Sequence, residues 1–503
     1  MKVINVMNFV RFIDERMENS TELLYNTTKA QLDAVNEFGI ENTFLLQYDA
    51  FTDERFASLF KDNATEKTEL GVWFEIVKPM TDRCNLPYRS ENGWVWDWHI
   101  IPGYSMAYTP NEREMLIDET MERFKEVFGY YPKSFAGWVI DTHTLNHLVK
   151  KYGISAVAIC RDQVNTDAYT LVGGYFNQAY FPSKNNIFTP AQTQENTVNI
   201  PVFRLLGPCP VYNYDGKKYL SEELKKIHGC YTLEPVWYSG KTPEVVDWFF
   251  KTYYENEDLG FSYAQLGQEN SFGYEDIITP FRMQLKKAVK LKDVSIEKMC
   301  VTGERFKEKY RGITPATAVC ALDSWDSDEI QSVWYDCKNY TANLFRYGSE
   351  IFIRAFYLFD ERIPEHYIEK TCTTFDAIYE NLPIVDTVIN APDKKEDIGI
   401  TLDRSAVPFN AEKAVTGELC VKWNDKKVLF DEDGITVITN VPTVFHTDTA
   451  TQEIKVSDTT LDFSYKGHRY SLEITGANVT VLQCGLISIA PVNGKIRFIP
   501  KRA

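Results

Sequence analysis

The chain has 503 residues, of which 44% are hydrophobic and 25% are charged, a balance typical of an ordinary globular protein. Its 54 lysines and arginines against 71 aspartates and glutamates give a net charge of −17, which argues against nucleic acid or an anionic membrane surface as a partner. The length exceeds that of one average domain, so we expect a large domain followed by a smaller one.

The cysteines and the N-terminal residues bear on the cellular compartment. Ten cysteines occur singly between Cys84 and Cys484, which favours reduced thiols over a disulfide framework or a zinc ribbon. Residues 1–6 enter an apolar strand without a signal-peptide core, and no run approaches 18 apolar residues. These features predict a cytoplasmic protein that does not span a membrane. No cofactor is expected.

Residues 1–160 alternate between short apolar runs and amphipathic stretches. The apolar runs, which predict buried strands, lie at residues 3–10, 43–48, 70–76, 135–140 and 156–160. The helical stretches lie at residues 20–38, 110–128 and 142–152. Pro110 suits a first helical position, and Gly129 and Gly153 suit helix ends. Repeated strand–helix units with short connections indicate a parallel barrel or a doubly wound sheet.

Later elements are spaced more widely. Strands six to eight are predicted at residues 198–204, 260–266 and 316–322, with helices at 242–256 and 276–291. From about residue 384, β-branched alternation replaces helical periodicity, and turns such as Asn493-Gly494 separate the runs. We therefore expect a (β/α) barrel of seven or eight strands over residues 1–385 and a C-terminal antiparallel β-sandwich over residues 386–503.

Charged side chains follow four of the predicted strands. The set comprises Arg11, Asp14, Asp141, His143, Arg161, Asp162 and Arg204. Residues just past the carboxyl ends of parallel strands share one mouth of the sheet or barrel. Because a guanidinium binds a carboxylate bidentately, Arg11, Arg161 and Arg204 predict a site for an anionic small molecule. Each arginine could instead be a structural partner of a nearby aspartate.

His143 would lie in the first turn of a helix, where the helix dipole favours a neutral imidazole suited to act as a general base. Asp141 could orient this ring or cap the helix. His143 and His147 also have the i,i+4 spacing that zinc sites use.

Other polar and aromatic residues are candidates for binding a sugar. Glu269 and Asp323 follow strands seven and eight and could each replace Asp14 as an acid, and Gln268 and Asn343 suit hydroxyl or N-acyl groups. Two long connections, 79–108 and 163–199, leave the predicted active face and are rich in aromatic rings. The first carries Trp98, which could stack on a sugar, although packing over the barrel would also explain these rings.

Three segments of the chain resemble the polysaccharide-deacetylase superfamily, which includes glycoside hydrolase families 57 and 38. They are the stretch 69–75, the helix start Tyr108-Thr109-Pro110 and the segment Gly129-Tyr130-Tyr131-Pro132 before strand four. The resemblance implies an irregular seven- or eight-stranded barrel. Deacetylases hold a divalent metal with an Asp after strand one and two His after strand three. The corresponding residues here are Asn8, Trp73 and Val77, so no metal is expected at that position.

A second set of segments resembles the family 156 sialidases. It comprises Asn8-Phe9-Val10-Arg11 with Asp14, Leu45–Asp49 and Pro201–Arg204. That resemblance implies an inverting exo-sialidase with Asp14 and His143 as catalytic residues and arginines that hold the sugar carboxylate.

We therefore predict a glycoside hydrolase that removes a terminal acidic sugar, with sialic acid preferred. Asp14 and His143 would be catalytic. The residues expected to bind substrate are Arg11, Arg161, Arg204, Asp141, Trp98, Gln268, Glu269, Asp323 and Asn343. The partner would be a small molecule or an oligosaccharide with a carboxylate, and a homo-oligomer stays open. The alternatives are a metal-dependent carbohydrate deacetylase around Asp141, His143 and His147, and a carbohydrate-binding barrel without catalysis.

Overall fold

A computed structural model describes residues 1–99, 103–166, 169–213, 220–227, 230–374, 377–387, 399–415, 417–447, 452–483 and 485–503. Strands are numbered β1 to β28 and α-helices α1 to α10 along the described chain. No helix in these ranges is both long enough and apolar enough to cross a membrane.

The N-terminal part of the described chain forms a nearly closed barrel. Its strands run in the order β10-β1-β2-β3-β4-β5-β9-β8, and all of them are parallel except β8. A further short strand, β11, pairs with the first half of β1, whereas β2 pairs with the second half. β6 and β7 form a separate hairpin. The strands of this region are β1 (Lys2–Val10), β2 (Asn42–Leu46), β3 (Thr68–Trp73), β4 (Ser134–Gly137), β5 (Ala156–Ile159), β6 (Gln163–Thr166), β7 (Tyr169–Leu171), β8 (Ala179–Tyr180), β9 (Val202–Arg204), β10 (Ser262–Leu266) and β11 (Ser295–Glu297).

Side chains bridge the gap between β10 and the paired strands β8 and β9. The Leu206 amide donates to Gln265 Oε1 at 2.8 Å, and Asn177 Nδ2 donates to the Tyr263 carbonyl at 2.8 Å. These bonds satisfy backbone groups that a closed strand ladder would otherwise pair.

The helices pack on the outside of the barrel, so both faces of its strands are buried, including polar side chains such as Asn5 and Asn8 of β1. The α-helices are α1 (Ser20–Phe38), α2 (Tyr48–Thr52), α3 (Glu54–Asn63), α4 (Lys78–Arg83), α5 (Pro110–Phe128), α6 (Thr142–Tyr152), α7 (Tyr238–Lys241), α8 (Pro243–Phe250), α9 (Tyr274–Ala288) and α10 (Met299–Tyr310). Thr109 and Glu112 form a capping box at α5, and Asp141 caps α6 through the Thr144 amide. Three predicted helices, 20–38, 110–128 and 142–152, are confirmed.

The rest of the described chain forms two antiparallel sheets that share a hydrophobic core. The first contains β12 (Thr317–Ala321), β13 (Ile330–Asp336), β14 (Tyr340–Tyr347), β15 (Glu350–Leu358), β16 (Leu382–Asp386), β17 (Gly399–Asp403), β22 (Thr443–His446), β26 (Ala477–Gln483) and β27 (Leu486–Pro491). The second contains β18 (Asn410–Lys413), β19 (Leu419–Trp423), β20 (Lys426–Asp431), β21 (Gly434–Ile438), β23 (Glu453–Val456), β24 (Thr460–Tyr465), β25 (His468–Thr475) and β28 (Lys495–Arg502).

One predicted barrel strand belongs elsewhere. The run at 316–322 forms β12, which pairs antiparallel with β13 in the first antiparallel sheet. Antiparallel structure therefore begins well before residue 386. A short buried apolar run does not reveal its partner, so this error could not be seen in the sequence. The division of the chain into domains at residue 385 stays a prediction.

A buried polar junction connects α6 to the segment that follows β15. Glu365 Oε2 accepts hydrogen bonds from the Thr142 amide at 2.7 Å and from the Thr142 hydroxyl. Arg113 Nη1 donates to Asp141 Oδ1 at 2.9 Å and to the Tyr367 carbonyl at 2.6 Å. Burial, followed by the negative charge of Asp141, raises the pKa of Glu365 to about 8.

This junction predicts a pH-dependent stability. Glu365 keeps its proton in the folded protein up to about pH 8, whereas its ordinary pKa is 4.5, so the unfolded chain releases the proton at lower pH. The wild type should therefore lose stability between about pH 4.5 and pH 8, and Glu365→Gln should lose less over this window. Urea unfolding at pH 5 and pH 8 measures the difference, with Glu126→Gln on the exposed face of α5 as the control. The same pH dependence in wild type and Glu365→Gln would contradict the prediction.

Candidate active site at the barrel mouth

Arg11, which directly follows β1, lies in a buried ion-pair network. Its Nη2 and Nε atoms bind the two carboxylate oxygens of Glu75 at 2.7 and 3.0 Å, and its Nη1 lies 2.5 Å from Glu269 Oε2. Burial opposes the charge of Arg11, but Glu269 and Glu75 outweigh it and raise the pKa of this guanidinium well above its ordinary value. One arginine thus connects residues that follow β1, β3 and β10.

Two further donors hold Glu75. Its Oε2 atom accepts hydrogen bonds from Gln47 Nε2 at 2.6 Å and from Trp96 Nε1 at 3.0 Å. The indole ring of Trp96 lies 4.4 Å from the Arg11 guanidinium carbon, a cation–π contact. Nearby Asp49 has its pKa raised to about 7 by burial and then by the charge of Glu75.

A glycine after β10 allows the chain to approach β1 closely enough for Glu269 to reach Arg11. Gly267 has φ +108°, and a Cβ atom there would lie 2.0 Å from the Met7 carbonyl oxygen. The close approach lets the Phe9 amide donate to the Gln268 carbonyl at 3.3 Å. A side chain at residue 267 would therefore push Gln268 and Glu269 away from β1.

Glu234 is a second carboxyl group beside the network, and the sequence did not reveal it. Its Oε2 accepts from Thr232 Oγ1 at 2.9 Å and from Trp237 Nε1 at 3.2 Å, and its Oε1 accepts from Gln268 Nε2 at 3.1 Å. Burial, followed by the charge of Glu269, raises the pKa of Glu234 to about 7, while Arg161 acts in the opposite direction. The site therefore holds a carboxylic acid that can donate a proton near neutral pH, beside a carboxylate paired with Arg11.

Several predicted residues do meet here. Arg11, Gln268 and Glu269 contact the network directly, and the charge of Arg161 acts on Glu234. Arg161 also donates from Nη1 to the Asp162 carbonyl at 2.9 Å. Trp98 is half-buried beside Trp96, with ring centroids 6.3 Å apart.

The two predicted catalytic residues make other contacts. Asp14 binds Arg16 Nε and Nη2 at 2.8 and 2.5 Å, and these bonds outweigh burial and lower the pKa of Asp14. His143 Nε2 lies 3.1 Å from Glu114 on α5. These contacts favour a role for Asp14 in shaping its loop and for His143 in holding α6 against α5.

The residues around His143 are also held by α5. His147 Nε2 lies 2.7 Å from Asp118 Oδ1, which also accepts a hydrogen bond from the Tyr152 hydroxyl at 2.6 Å. Asp141 is fully buried between Arg113, Ser105 and Thr144. Capping and ion pairing therefore explain Asp141, and the contacts of His147 are those between packed helices.

Three more candidates for substrate binding have structural partners. Arg204 forms a buried ion pair with Asp162 and donates from Nε to the Cys160 carbonyl at 3.0 Å. Asp323 accepts from Trp248 Nε1 at 2.7 Å and from Lys251 Nζ at 2.5 Å on the surface. The amide of Asn343 is fully buried in the first antiparallel sheet, where it bonds Arg354, Ser332 and the Val333 carbonyl.

The three residues that the sequence resemblance matches to the metal ligands of deacetylases have side chains that do not suit a metal. Asn8 Oδ1 accepts a hydrogen bond from the Gln268 amide at 3.3 Å, the ring of Trp73 stacks on Phe9 at 4.2 Å, and Val77 is hydrocarbon. Within the described ranges, no group of three or more His, Cys, Asp or Glu residues is arranged to hold a metal ion.

Glu75 and Glu234 were missed for different reasons. Glu75 falls inside the run at 70–76 that predicts a strand, whereas β3 ends at Trp73 and leaves Glu75 at the mouth. Glu234 lies in a long irregular connection between β9 and α7, where no periodicity indicates which side chains point inward. Its aromatic neighbour Trp237 was the available signal.

No protein-family model matches the chain, and no curated protein matches it. Among solved structures, a candidate glycoside hydrolase/deacetylase from Parabacteroides distasonis is similar, with a TM-score of 0.55 and 14% identity over 75% of this chain and 90% of that chain. A candidate polysaccharide deacetylase from Mycobacterium smegmatis has a TM-score of 0.37 and 12% identity over 61% of this chain and 91% of that chain. A 4-alpha-glucanotransferase from Thermococcus litoralis has a TM-score of 0.31 and 10% identity over 99% of this chain and 97% of that chain.

The first of these likenesses confirms the predicted fold class, a deacetylase-like barrel followed by an antiparallel β-sandwich. At 14% identity it shows the fold alone, and the other two, with lower TM-scores, support no conclusion. None of the three is described as a sialidase, so the resemblance to family 156 stays a prediction.

The ion pair of Arg204 generates a prediction about stability. Arg204→Met should lower the free energy of unfolding by about 3–5 kcal/mol, because it removes the guanidinium from a buried carboxylate. Arg204→Lys should recover part of this loss by keeping the charge without the planar geometry. Denaturant unfolding measures both variants, with the exposed Arg404→Met as control. Wild-type stability in Arg204→Met, together with weakened substrate binding, would support the carboxylate-binding role instead.

Proposed function

We propose that the protein is a carbohydrate-active hydrolase that cleaves glycosidic bonds at the barrel mouth. The observation that carries the proposal is the pair of unlike carboxyl groups. Glu234 has a pKa of about 7, and the neighbouring Glu269 is paired with Arg11. Most glycoside hydrolases use two carboxyl groups, one protonated and one ionised, whose environments differ in this way.

In this proposal, Glu234 donates its proton to the departing sugar oxygen as the bond from that oxygen to the anomeric carbon breaks. A water molecule supplies the hydroxyl group that the anomeric carbon gains, and its remaining proton passes to a carboxylate. Glu269 is the second carboxylate, which either activates water or attacks the anomeric carbon, depending on its separation from Glu234.

The remaining residues position this pair. Arg11 holds Glu269 in place through an ion pair that Glu75 shares. Gln268 Nε2 orients Glu234, and the half-buried indole of Trp237 donates to the same carboxyl group. Because Arg11 and Arg204 already have carboxylate partners, the proposal does not include a three-arginine clamp for an acidic sugar.

Removal of an acetyl group from a carbohydrate is the second candidate. It is favoured by the similar structure from Parabacteroides distasonis, which is described as a candidate glycoside hydrolase/deacetylase. A screen of aryl glycosides and acetylated oligosaccharides, each with and without EDTA, separates the two reactions. Release of acetate that stops in EDTA would favour the deacetylase, and the absence of both reactions would favour a carbohydrate-binding protein.

Glu234→Gln should lower kcat on an unactivated glycoside by about 10²–10⁴-fold, because the proton donor is lost. Since Glu234 must be protonated to act, the wild-type rate should fall as pH rises through about 7, and the variant should lack this alkaline limb. A dinitrophenyl glycoside, whose leaving group needs no proton, should show a smaller loss. Steady-state kinetics from pH 5 to pH 9 test all three expectations.

The matched control is Glu365→Gln, which changes another buried glutamate of raised pKa that bonds Thr142. It should keep the wild-type kcat and alkaline limb. Glu269→Gln should lose activity on both kinds of leaving group, because its role does not depend on protonating the departing oxygen. An alkaline limb that survives in Glu234→Gln would assign the acid to another residue.

A further inference from the structure

An open groove lies beside the candidate active site. It has a volume of about 640 Å³ and is lined by residues of the 13–22 segment after β1 and by Trp94. None of the proposed catalytic groups lines it. The groove therefore needs its own explanation.

One wall of the groove is aromatic. Trp94 is half-buried, and its ring centroid lies 5.0 Å from that of Trp98, which in turn stacks on His99 at 4.8 Å. The guanidinium of Arg16 lies 5.0 Å from the Trp98 ring centroid and backs it. A partly exposed indole that its neighbours hold in place can stack on a flat apolar face without losing much side-chain entropy.

The rest of the lining comes from the 13–22 segment and is mostly polar, with Ile13 and Met17 as its apolar members. Asn19 is exposed and makes no side-chain capping bond at the start of α1, and Thr21 lies beside it in the lining. Glu22 binds Arg55 through 2.5 and 2.9 Å contacts. Glu15 Oε2 accepts a hydrogen bond from the Val95 amide at 2.7 Å, which fixes the backbone next to Trp94 to the 13–22 segment. A groove that combines an indole with amide, hydroxyl and carboxylate groups matches a sugar ring, which has an apolar face and a rim of hydroxyl groups.

The groove and the carboxylate network lie on either side of Trp96, a buried ring that does not itself line the groove. That ring contacts Trp98 on the groove side, at 6.3 Å between centroids, and donates to Glu75 on the other. Arg11 and Arg16 both lie over it, at 4.4 and 5.3 Å. Packed side chains therefore connect the aromatic wall of the groove to the network at the barrel mouth, which places the groove next to the candidate site.

We infer that the groove is a binding subsite for a further unit of a neutral saccharide chain, stacked on Trp94. This inference rests on the proposed function and names its substrate class, an oligosaccharide or polysaccharide. The carboxylate oxygens of Glu15 and Glu22 can accept hydrogen bonds from hydroxyl groups, and the described residues that line the groove include no lysine or arginine to bind an anionic chain.

The test measures the affinity of the full chain for malto-, cello- and chitooligosaccharides of one to six units by titration calorimetry. Wild type should bind the hexasaccharide of one series more tightly than its monosaccharide. Trp94→Ala should weaken hexasaccharide binding by at least about fivefold and leave monosaccharide binding unchanged, because one stacked ring is lost. Trp94→Phe should recover most of the affinity. Tyr130→Ala, at an exposed tyrosine beyond the end of α5, is the control and should match wild type.

Equal hexasaccharide affinity in wild type and Trp94→Ala, or no binding of any series by folded wild type, would overturn the subsite. Thermal unfolding of each variant separates lost binding from lost folding. The outcome also separates the two proposals. Length-dependent binding that Trp94 controls, without hydrolysis of any glycoside, would overturn the proposed function and leave the subsite. Hydrolysis of aryl glycosides, together with the same dependence of affinity on chain length in wild type and Trp94→Ala, would overturn the subsite and leave the proposed function.

Discussion

The barrel mouth depends on the buried ion pairs of Arg11. A guanidinium removed from water is tolerated only when carboxylates and further hydrogen bonds surround it, and Glu75 and Glu269 supply them from two other strands. The arrangement joins the ends of β1, β3 and β10 at one point. Since Gly267 is what allows β10 to approach β1 so closely, backbone geometry and charge pairing constrain the same few residues.

Burial and the same network together set the electrostatics of Glu234. Burial, and after it the charge of Glu269, raises the pKa of Glu234, whereas Arg11 makes its ion pairs with Glu269 and Glu75. One carboxyl group is thereby paired with a guanidinium, and its neighbour has a pKa close to neutral pH. The proposed division of labour between acid and second carboxylate follows from which of them bonds the arginine.

Elsewhere, buried arginines hold loops to the barrel. Arg113 joins Asp141 to the segment after β15, and Arg204 joins β9 to Asp162. In both pairs, the guanidinium that could bind a substrate carboxylate binds a carboxylate of the protein itself. An arginine at the end of a strand is therefore a weak indication of a ligand site until its partners are known.

The sequence by itself determined five strands and three helices through residue 160, the helix start at Pro110, and the change to antiparallel structure, because these depend on local periodicity and local backbone preferences. It did not indicate α2 and α3, which lie between β2 and β3. It also placed Arg11, Gln268 and Glu269 at one mouth, since parallel strands end on one side. Only the tertiary structure decided that β12 leaves the barrel, that Arg204 bonds Asp162, and that Glu234 and Glu75 belong to the site. Those outcomes depend on contacts between residues far apart in the chain and on burial, which shifts a pKa in ways that no local pattern records.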